Sequence, residues 1–311
     1  MMKKINELNV NDNGVVFSGL INHVNMGKNA KSTYLSITIQ DSTGEVECKL
    51  WSASNEQIET LVPGVFVDLV GDVIKYNDGI QVKLSRIAIK DVPKEELDAY
   101  IRSSTIKLEE MQKLFEDSMK QIESLEVYEV VNALYDRYMG DFLKYPAASK
   151  NHHNYLSGLA EHTYRMLKMA LELCDLYPLL DKDLMIGGVL LHDMGKIVEL
   201  SGPIIPSYTF EGKLLGHITI GENMIDEMIK ELNLESEKLV LLKHIVLSHH
   251  GKLEFGSPVL PAIPEAEMIY LIDNIDAKMN MLIKAFDEIE PGEFTKRIFP
   301  LDNRSFYKAK K

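Results

Sequence analysis

The chain is predicted to be a multidomain β + α protein: an N-terminal five-stranded barrel, a helical connector and a C-terminal all-α domain. Three observations predict this. Short runs with period-2 alternation fill residues 14–90. From residue 93 onward, apolar residues recur instead at three- and four-residue spacing. All but one of the nine histidines fall between 152 and 250, inside the helical part.

The strands come first. Val15–Val24, Tyr34–Gln40, Glu45–Trp51, Val65–Val73 and Gln81–Ile89 are separated by Gly, Asn and Asp. Asp41-Ser42-Thr43-Gly44 is a tight turn, and Asn77-Asp78-Gly79 is a second hairpin signal. A short helical piece, Asn55–Leu61, is broken by Pro63-Gly64. Five strands with a helix after the third is the order of an OB-fold barrel, assigned to residues 1–92. Alternation turns Leu35, Ile37, Ile39, Val46, Cys48 and Leu50 inward and leaves Tyr34, Lys49 and Trp51 outside. These three are the expected strand-binding residues, because OB-folds stack bases on this part of the barrel. The competing expectation is that the aromatics pack against the second domain. His23, in the first strand, is read as structural or solvent-facing.

Residues 93–145 are read as a helical connector that packs onto the next domain, with Leu97, Tyr100, Ile101, Leu108, Met111, Leu114 and Phe115 at helical spacing. Lys94-Glu95-Glu96 is a solvated charge run. The all-helical domain is assigned to residues 146–290, with helices near 157–176, 181–193, 217–232, 236–250 and 264–287. Residues 291–311 form a basic tail.

Bulk properties narrow the function classes. A chain of 311 residues can hold two cores. No apolar run approaches the roughly 18 residues needed to span a bilayer, and Lys3-Lys4 leads into polar sequence rather than a signal-peptide core. Cys48 and Cys174 lack CxxC partners and read as reduced thiols, so a cytoplasmic location is expected. The net charge of −13 is uneven. Residues 1–92 carry 9 Lys+Arg against 11 Asp+Glu, leaving 25 against 36 for the remainder. Lys296, Arg297, Arg304, Lys308, Lys310 and Lys311 face one acid, Asp302, over the last stretch, so local basic strips are open to a polyanion.

The chemistry is expected around Leu190-Leu191-His192-Asp193-Met194-Gly195-Lys196. An apolar run ends in an imidazole and a carboxylate, followed by a glycine able to end the helix. A metal-dependent hydrolase needs three or four nitrogen or oxygen ligands and a place for water. His162, His192, Asp193 and Asp273 would form one such set. His217, His249 and His250 would form a second, with Asp193 bridging. Imidazole and carboxylate ligands without thiolate suit Mn, Fe, Co or Mg. Asp276, one turn beyond Asp273, is read as a supporting or surface acid, and His244 as a packing or surface residue. His152 and His153 precede the helix of His162 and are candidates for substrate phosphate. Lys196 is expected either to neutralise charge on the phosphate or to be a solvated helix-end lysine.

The order His162, His192-Asp193, Asp273 resembles the HD superfamily of metal-dependent phosphohydrolases, and His217 with His249-His250 resembles its two-metal members. The combination of an OB-fold with His152-His153, Gly158-Leu159-Ala160-Glu161-His162-Thr163, His192-Asp193-Met194-Gly195-Lys196 and Tyr270-Leu271-Ile272-Asp273-Asn274-Ile275-Asp276-Ala277-Lys278-Met279-Asn280 is similar to the YhaM family of bacterial 3′-to-5′ exoribonucleases. That resemblance implies a C-terminal HD domain and Mn2+-dependent removal of nucleotides from the 3′ end of single-stranded RNA, with DNA as an alternative substrate. Cyclic-dinucleotide phosphodiesterases of the superfamily carry Gly-Tyr-Pro after the paired histidines. Here the residues are Gly251-Lys252-Leu253, which counts against that activity. A nucleotidase or dNTP phosphohydrolase, and a non-catalytic RNA-binding regulator, are the competing readings. Single-stranded RNA or DNA is the expected partner, with no membrane, and a homo-oligomer is left open.

Overall fold

The computed structural model describes residues 2–28, 32–77, 79–93, 97, 100–148 and 155–310. Two compact units divide at Ser103/Ser104.

In the first unit, β1 (Val15–Lys28), β2 (Thr33–Asp41), β3 (Gly44–Trp51), β4 (Phe66–Tyr76) and β5 (Gly79–Ile89) close a barrel in the order β1-β2-β3-β5-β4. Among the strand pairs of the described residues, β3–β5 alone is parallel. The alternation closes it: Leu35, Ile37, Ile39, Val46, Cys48 and Leu50 are buried together with Phe17, Leu69 and Val82. Residues between them on β2 and β3 stay partly or fully exposed. α1 (Asn55–Thr60) follows β3 and is held by a capping box between Ser54 and Gln57. β4 begins at Phe66, and Gly64 with φ +95 makes the preceding turn. Of the second hairpin signal, Asp78 lies outside the described residues.

In the second unit, α2 (Leu108–Met119) and α3 (Leu125–Phe142) belong to one apolar core with α4 (Gly158–Leu176), α5 (Lys182–Leu191), α7 (Phe210–Leu232), α8 (Glu237–Ser248) and α9 (Pro264–Asp287). The connector residues after Ser103 are therefore an integral layer of this unit: Met111, Phe115, Val127, Val130 and Leu134 are fully buried in its core. Polar caps set the helix starts. Ser124, Asp181, Thr209 and Ser236 each accept hydrogen bonds from the first-turn amides of α3, α5, α7 and α8. Pro264 opens α9. The segment between Asp193 and His217 holds more helix than its Gly and Pro content predicts. α6 (Lys196–Glu199) follows Gly195, and α7 starts at Phe210, seven residues early. α7 is broken at Gly216 (φ 71, ψ 154), so His217 begins a fresh helical turn. The tail folds back as a ladder of isolated bridges, Phe294 with Tyr307 and Ile298 with Arg304. Lys308 donates to the carbonyls of Phe286 and Ile289 at the end of α9. No helix among the described residues is long and apolar enough to cross a membrane.

Candidate metal centre

Five histidines and three aspartates converge where α4, α5, α7, α8 and α9 meet. α4 contributes His162, the end of α5 contributes His192-Asp193, the second segment of α7 contributes His217, the end of α8 contributes His249-His250, and α9 contributes Asp273 and Asp276. Each imidazole is oriented by an acceptor at Nδ1. His162 uses Asp276 Oδ2 at 2.7 Å, His192 the carbonyl of Val189 at 2.8 Å, and His217 Glu199 Oε1 at 3.1 Å. His249 uses the carbonyl of Val246 at 2.7 Å and His250 that of Phe255 at 2.8 Å. With Nδ1 so engaged, Nε2 is the nitrogen left to offer a lone pair.

The Nε2 atoms of His162, His192, His217 and His249 point at Asp193. Its Oδ2 lies 3.3 Å from His192 Nε2 and 3.8 Å from His162 Nε2. Its Oδ1 lies 3.4 Å from His217 Nε2 and 3.7 Å from His249 Nε2. One carboxylate thus faces two sets. Ligand atoms of His162, His192 and Asp193 lie within 4.8 Å of one another, as do those of His217, His249 and His250. Asp273 Oδ1 stands 3.3 Å from His162 Nε2, beside the first set.

The donor set fits divalent cations. Asp193 Oδ1, His217 Nε2 and His249 Nε2 are buried and make no hydrogen bond, and an unsatisfied buried polar atom costs about 1–3 kcal/mol. Three such atoms aimed at one another are the arrangement a cation relieves. The charge balance agrees. Asp193 is held well below the usual carboxylate range against the effect of burial, by Lys196 and His192. Asp273 is likewise lowered despite burial, through His162. Burial disfavours the cationic form of His162, but Asp273 and Asp276 outweigh it and push its pKa up to about 10, so a cation entering the first set would displace a proton from Nε2. Burial lowers His249, and burial with His249 beside it brings His250 down to about 4, so that pair stays neutral and available as ligands.

Lys196 is buried, not solvated, and donates to Asp193 Oδ2 at 2.6 Å. Asp276 supports His162 from behind, and His244 Nε2 accepts the amide of Ala262, away from the histidine cluster. His152 and His153 lie outside the described residues. The residue sequence reasoning missed is Glu199. Its Oε1 takes both the amide and Nδ1 of His217, at 3.0 and 3.1 Å, because the Gly216 break frees that amide. The mark it leaves in the sequence is slight: an acid directly after the apolar pair Ile197-Val198.

Gly195 does not end a helix by a left-handed turn: its φ is −59. It is glycine because α7 crosses over it. A Cβ there would lie 2.1 Å from the His217 carbonyl oxygen.

On the barrel, Tyr34 pairs with Trp51 across β2–β3, and Ser36 pairs with Lys49. The Tyr34 and Trp51 rings are 5.1 Å apart, with Lys49 Nζ 4.6 Å from the Tyr34 centroid and hydrogen-bonded to Ser36 Oγ. Trp51 is 43% exposed. The three expected strand-binding residues therefore form one open patch.

Comparison with known proteins joins these two descriptions. Residues 159–278 match the model of the HD domain, and residues 15–89 match that of an OB-fold nucleic acid binding domain. The chain carries an OB fold and an HD domain. Solved structures similar to it include the second OB-fold domain of replication protein A from Methanococcus maripaludis. That domain is 22% identical, covering 30% of this chain and all of the other, with a TM-score of 0.25. The replication factor A related protein from Methanobacterium thermoautotrophicum is 16% identical over 29% of this chain and 92% of its own, with a TM-score of 0.25. The HD match spans His162, His192-Asp193, His217, His249-His250, Asp273 and Asp276 together, the residues that converge in space. HD domains are metal-dependent phosphohydrolases, which agrees with the donor set of this centre.

Proposed function

We propose that this protein is a metal-dependent 3′-to-5′ exonuclease of single-stranded RNA, in the manner of the YhaM family its sequence resembles. The observation that carries the proposal is Asp193 with one oxygen turned to each of two histidine sets, in a chain that also holds a nucleic-acid-binding barrel. Two ions, Mn2+ being the expected metal, would be held by His162, His192, Asp193 and Asp273 on one side. His217, His249, His250 and the other oxygen of Asp193 would serve the second. When bound, such ions supply charge against the phosphate oxygens and make water acidic enough to lose a proton near neutral pH.

The chain's own residues do the rest. Asp276, Glu199 and the carbonyls of Val189, Val246 and Phe255 hold the five imidazoles in one tautomer and one direction. Burial of His162, His192, Asp193 and His249 keeps bulk water from screening the centre. Lys196 holds Asp193 ionised. Tyr34, Lys49 and Trp51 offer bases a stacking surface and the backbone a cation, which binds a strand without reading its sequence.

A nucleotidase would use the same centre without the barrel patch. Turnover of single-stranded oligonucleotides and of mononucleotides in Mn2+ separates the two. An exonuclease degrades the oligonucleotides and leaves mononucleotides intact; preferential turnover of mononucleotides would replace the exonuclease proposal with the nucleotidase.

A further inference from the structure

Directly after the paired histidines the chain makes a short, tightly hydrogen-bonded loop. The amide of Gly251 donates to the carbonyl of Ser248, that of Phe255 to Lys252, and that of Gly256 to Leu253. Gly251 and Gly256 adopt φ +73 and +96. At Gly251 a Cβ would fall 2.2 Å from the Tyr270 ring, so the loop is pressed onto α9 at its first residue. The result fixes Phe255 from two sides: its carbonyl holds His250 Nδ1, and its amide closes the turn.

The Phe255 side chain has no packing reason to be aromatic. It belongs to neither apolar core and is 53% exposed. Lys252 Nζ lies 5.2 Å from its ring centroid, and 3.6 Å from the exposed carboxylate of Glu254. Such an exposed ion pair is weak and readily exchanged for a phosphate. A half-exposed ring with an ammonium over it, in a residue whose carbonyl holds a metal-site histidine, has the chemistry of a nucleotide subsite. The ring offers stacking to a base, and the ammonium offers charge to a phosphate.

We propose that Lys252 and Phe255 form the subsite for the 3′-terminal nucleotide of the strand, its base stacked on Phe255 and its phosphate met by Lys252. This rests on the exonuclease reading above and adds where the last base goes. Binding there would draw the terminal phosphodiester to His217, His249 and His250. Because stacking is indifferent to base identity, the subsite would require a base while accepting any of the four.

The test pairs a substrate change with a residue change in the full-length protein. One oligoribonucleotide ends in a normal adenosine, and its twin ends in an abasic ribose. In Mn2+, the wild type should release the abasic terminus with kcat/KM lower by about five- to 150-fold, the range that corresponds to one stacked base. Phe255→Leu should lose a similar factor on the normal terminus and almost nothing further on the abasic one, and Phe255→Tyr should restore it. Lys252→Gln should weaken both substrates alike. Equal wild-type rates on the two termini, or an equal loss on both in Phe255→Leu, would overturn the subsite. Equilibrium binding of the same two oligonucleotides separates this from the exonuclease reading. If the wild type cleaves neither, that reading fails, while a normal-over-abasic binding preference erased by Phe255→Leu would still establish the subsite. A binding preference unaffected by Phe255→Leu would refute it.

Discussion

Replacing Gly195 with alanine sets a methyl group against the backbone that carries His217. The added Cβ would meet the His217 carbonyl oxygen at 2.1 Å and the Gly221 amide nitrogen at 2.7 Å, where ordinary contact begins at 3.4 Å. Both obstacles are backbone, so no side chain can swing away. α7 and the Gly195 turn must part by about 1.3 Å, the difference between 3.4 and 2.1 Å. That movement draws His217 Nε2 from Asp193 Oδ1, 3.4 Å away in the native arrangement. Overpacking of this kind costs about 1–3 kcal/mol, which lowers Tm by roughly 2–12 °C for a unit of this size. Thermal melts with and without Mn2+, together with bound manganese per chain by elemental analysis, read both consequences. The variant should melt lower and, if the wild type takes up two manganese ions as proposed, hold one. Gly140→Ala is the control. A Cβ at Gly140 meets nothing within 4 Å, so alanine in the α3 interior should stabilise by about 0.5–1 kcal/mol and leave the manganese content alone. Full manganese content and an unchanged Tm in Gly195→Ala would refute the reasoning.

Other perturbations follow from the same geometry. Trp51→Ala should weaken binding of long single strands by about five- to 150-fold, the worth of one stacked base. The loss should shrink on di- and trinucleotides, as titration of a length series would show; an equal loss at every length would point to damage outside the barrel patch. Asp183 accepts the amides of Glu123 and Ser124 and the Lys238 ammonium, at 2.8, 3.0 and 2.8 Å. Burial opposes its ionisation, yet Lys238 and those amides hold its pKa below the ordinary value of 3.8. A carboxyl whose folded pKa is depressed contributes stability that is fully present above its unfolded pKa and lost as pH falls through the folded one. Asp183→Asn should therefore cost about 1–3 kcal/mol at pH 7. The gap between variant and wild type in urea denaturation should narrow once the pH drops below 3.8. His244→Ala should keep its manganese, because His244 Nε2 is engaged by the Ala262 amide, whereas His249→Ala should lose metal. Elemental analysis of the two variants decides this.

The barrel was legible because burial on one face of a strand imposes a period of two. Leu35, Ile37 and Ile39 read as inward from alternation alone, and all three are fully buried. Outside the 194–216 segment, the helices from Gly158 onward were equally plain, since their apolar stripes are long. The metal-site residues could be gathered from residue type, but not their orientation. The acceptors at Val189, Val246 and Phe255 are backbone carbonyls, which leave no mark in the side-chain pattern. Glu199 escaped because the segment around it is rich in Gly and Pro and reads as loop. Its role also depends on the break at Gly216, seventeen residues later. Gly195 was misread because a glycine after an apolar helix has two physical uses. A left-handed cap and a close helix crossing look alike in sequence, and only the observed φ of −59 separates them. In sequence Lys196 reads equally as a cation for the phosphate or as a solvated helix-end lysine, and its burial against Asp193 is a tertiary fact.

The central claim is that Asp193, shared between two histidine sets, equips this chain to shorten single-stranded RNA from its 3′ end. Its most direct test is 5′-end-labelled single-stranded RNA incubated with the full-length protein in Mn2+, alongside a sample stripped of divalent ions and the Asp193→Asn variant. The account predicts a ladder that shortens one nucleotide at a time for the wild type with Mn2+, and intact RNA in the other two. Steady cleavage by Asp193→Asn, or internal cuts in place of the ladder, would contradict it.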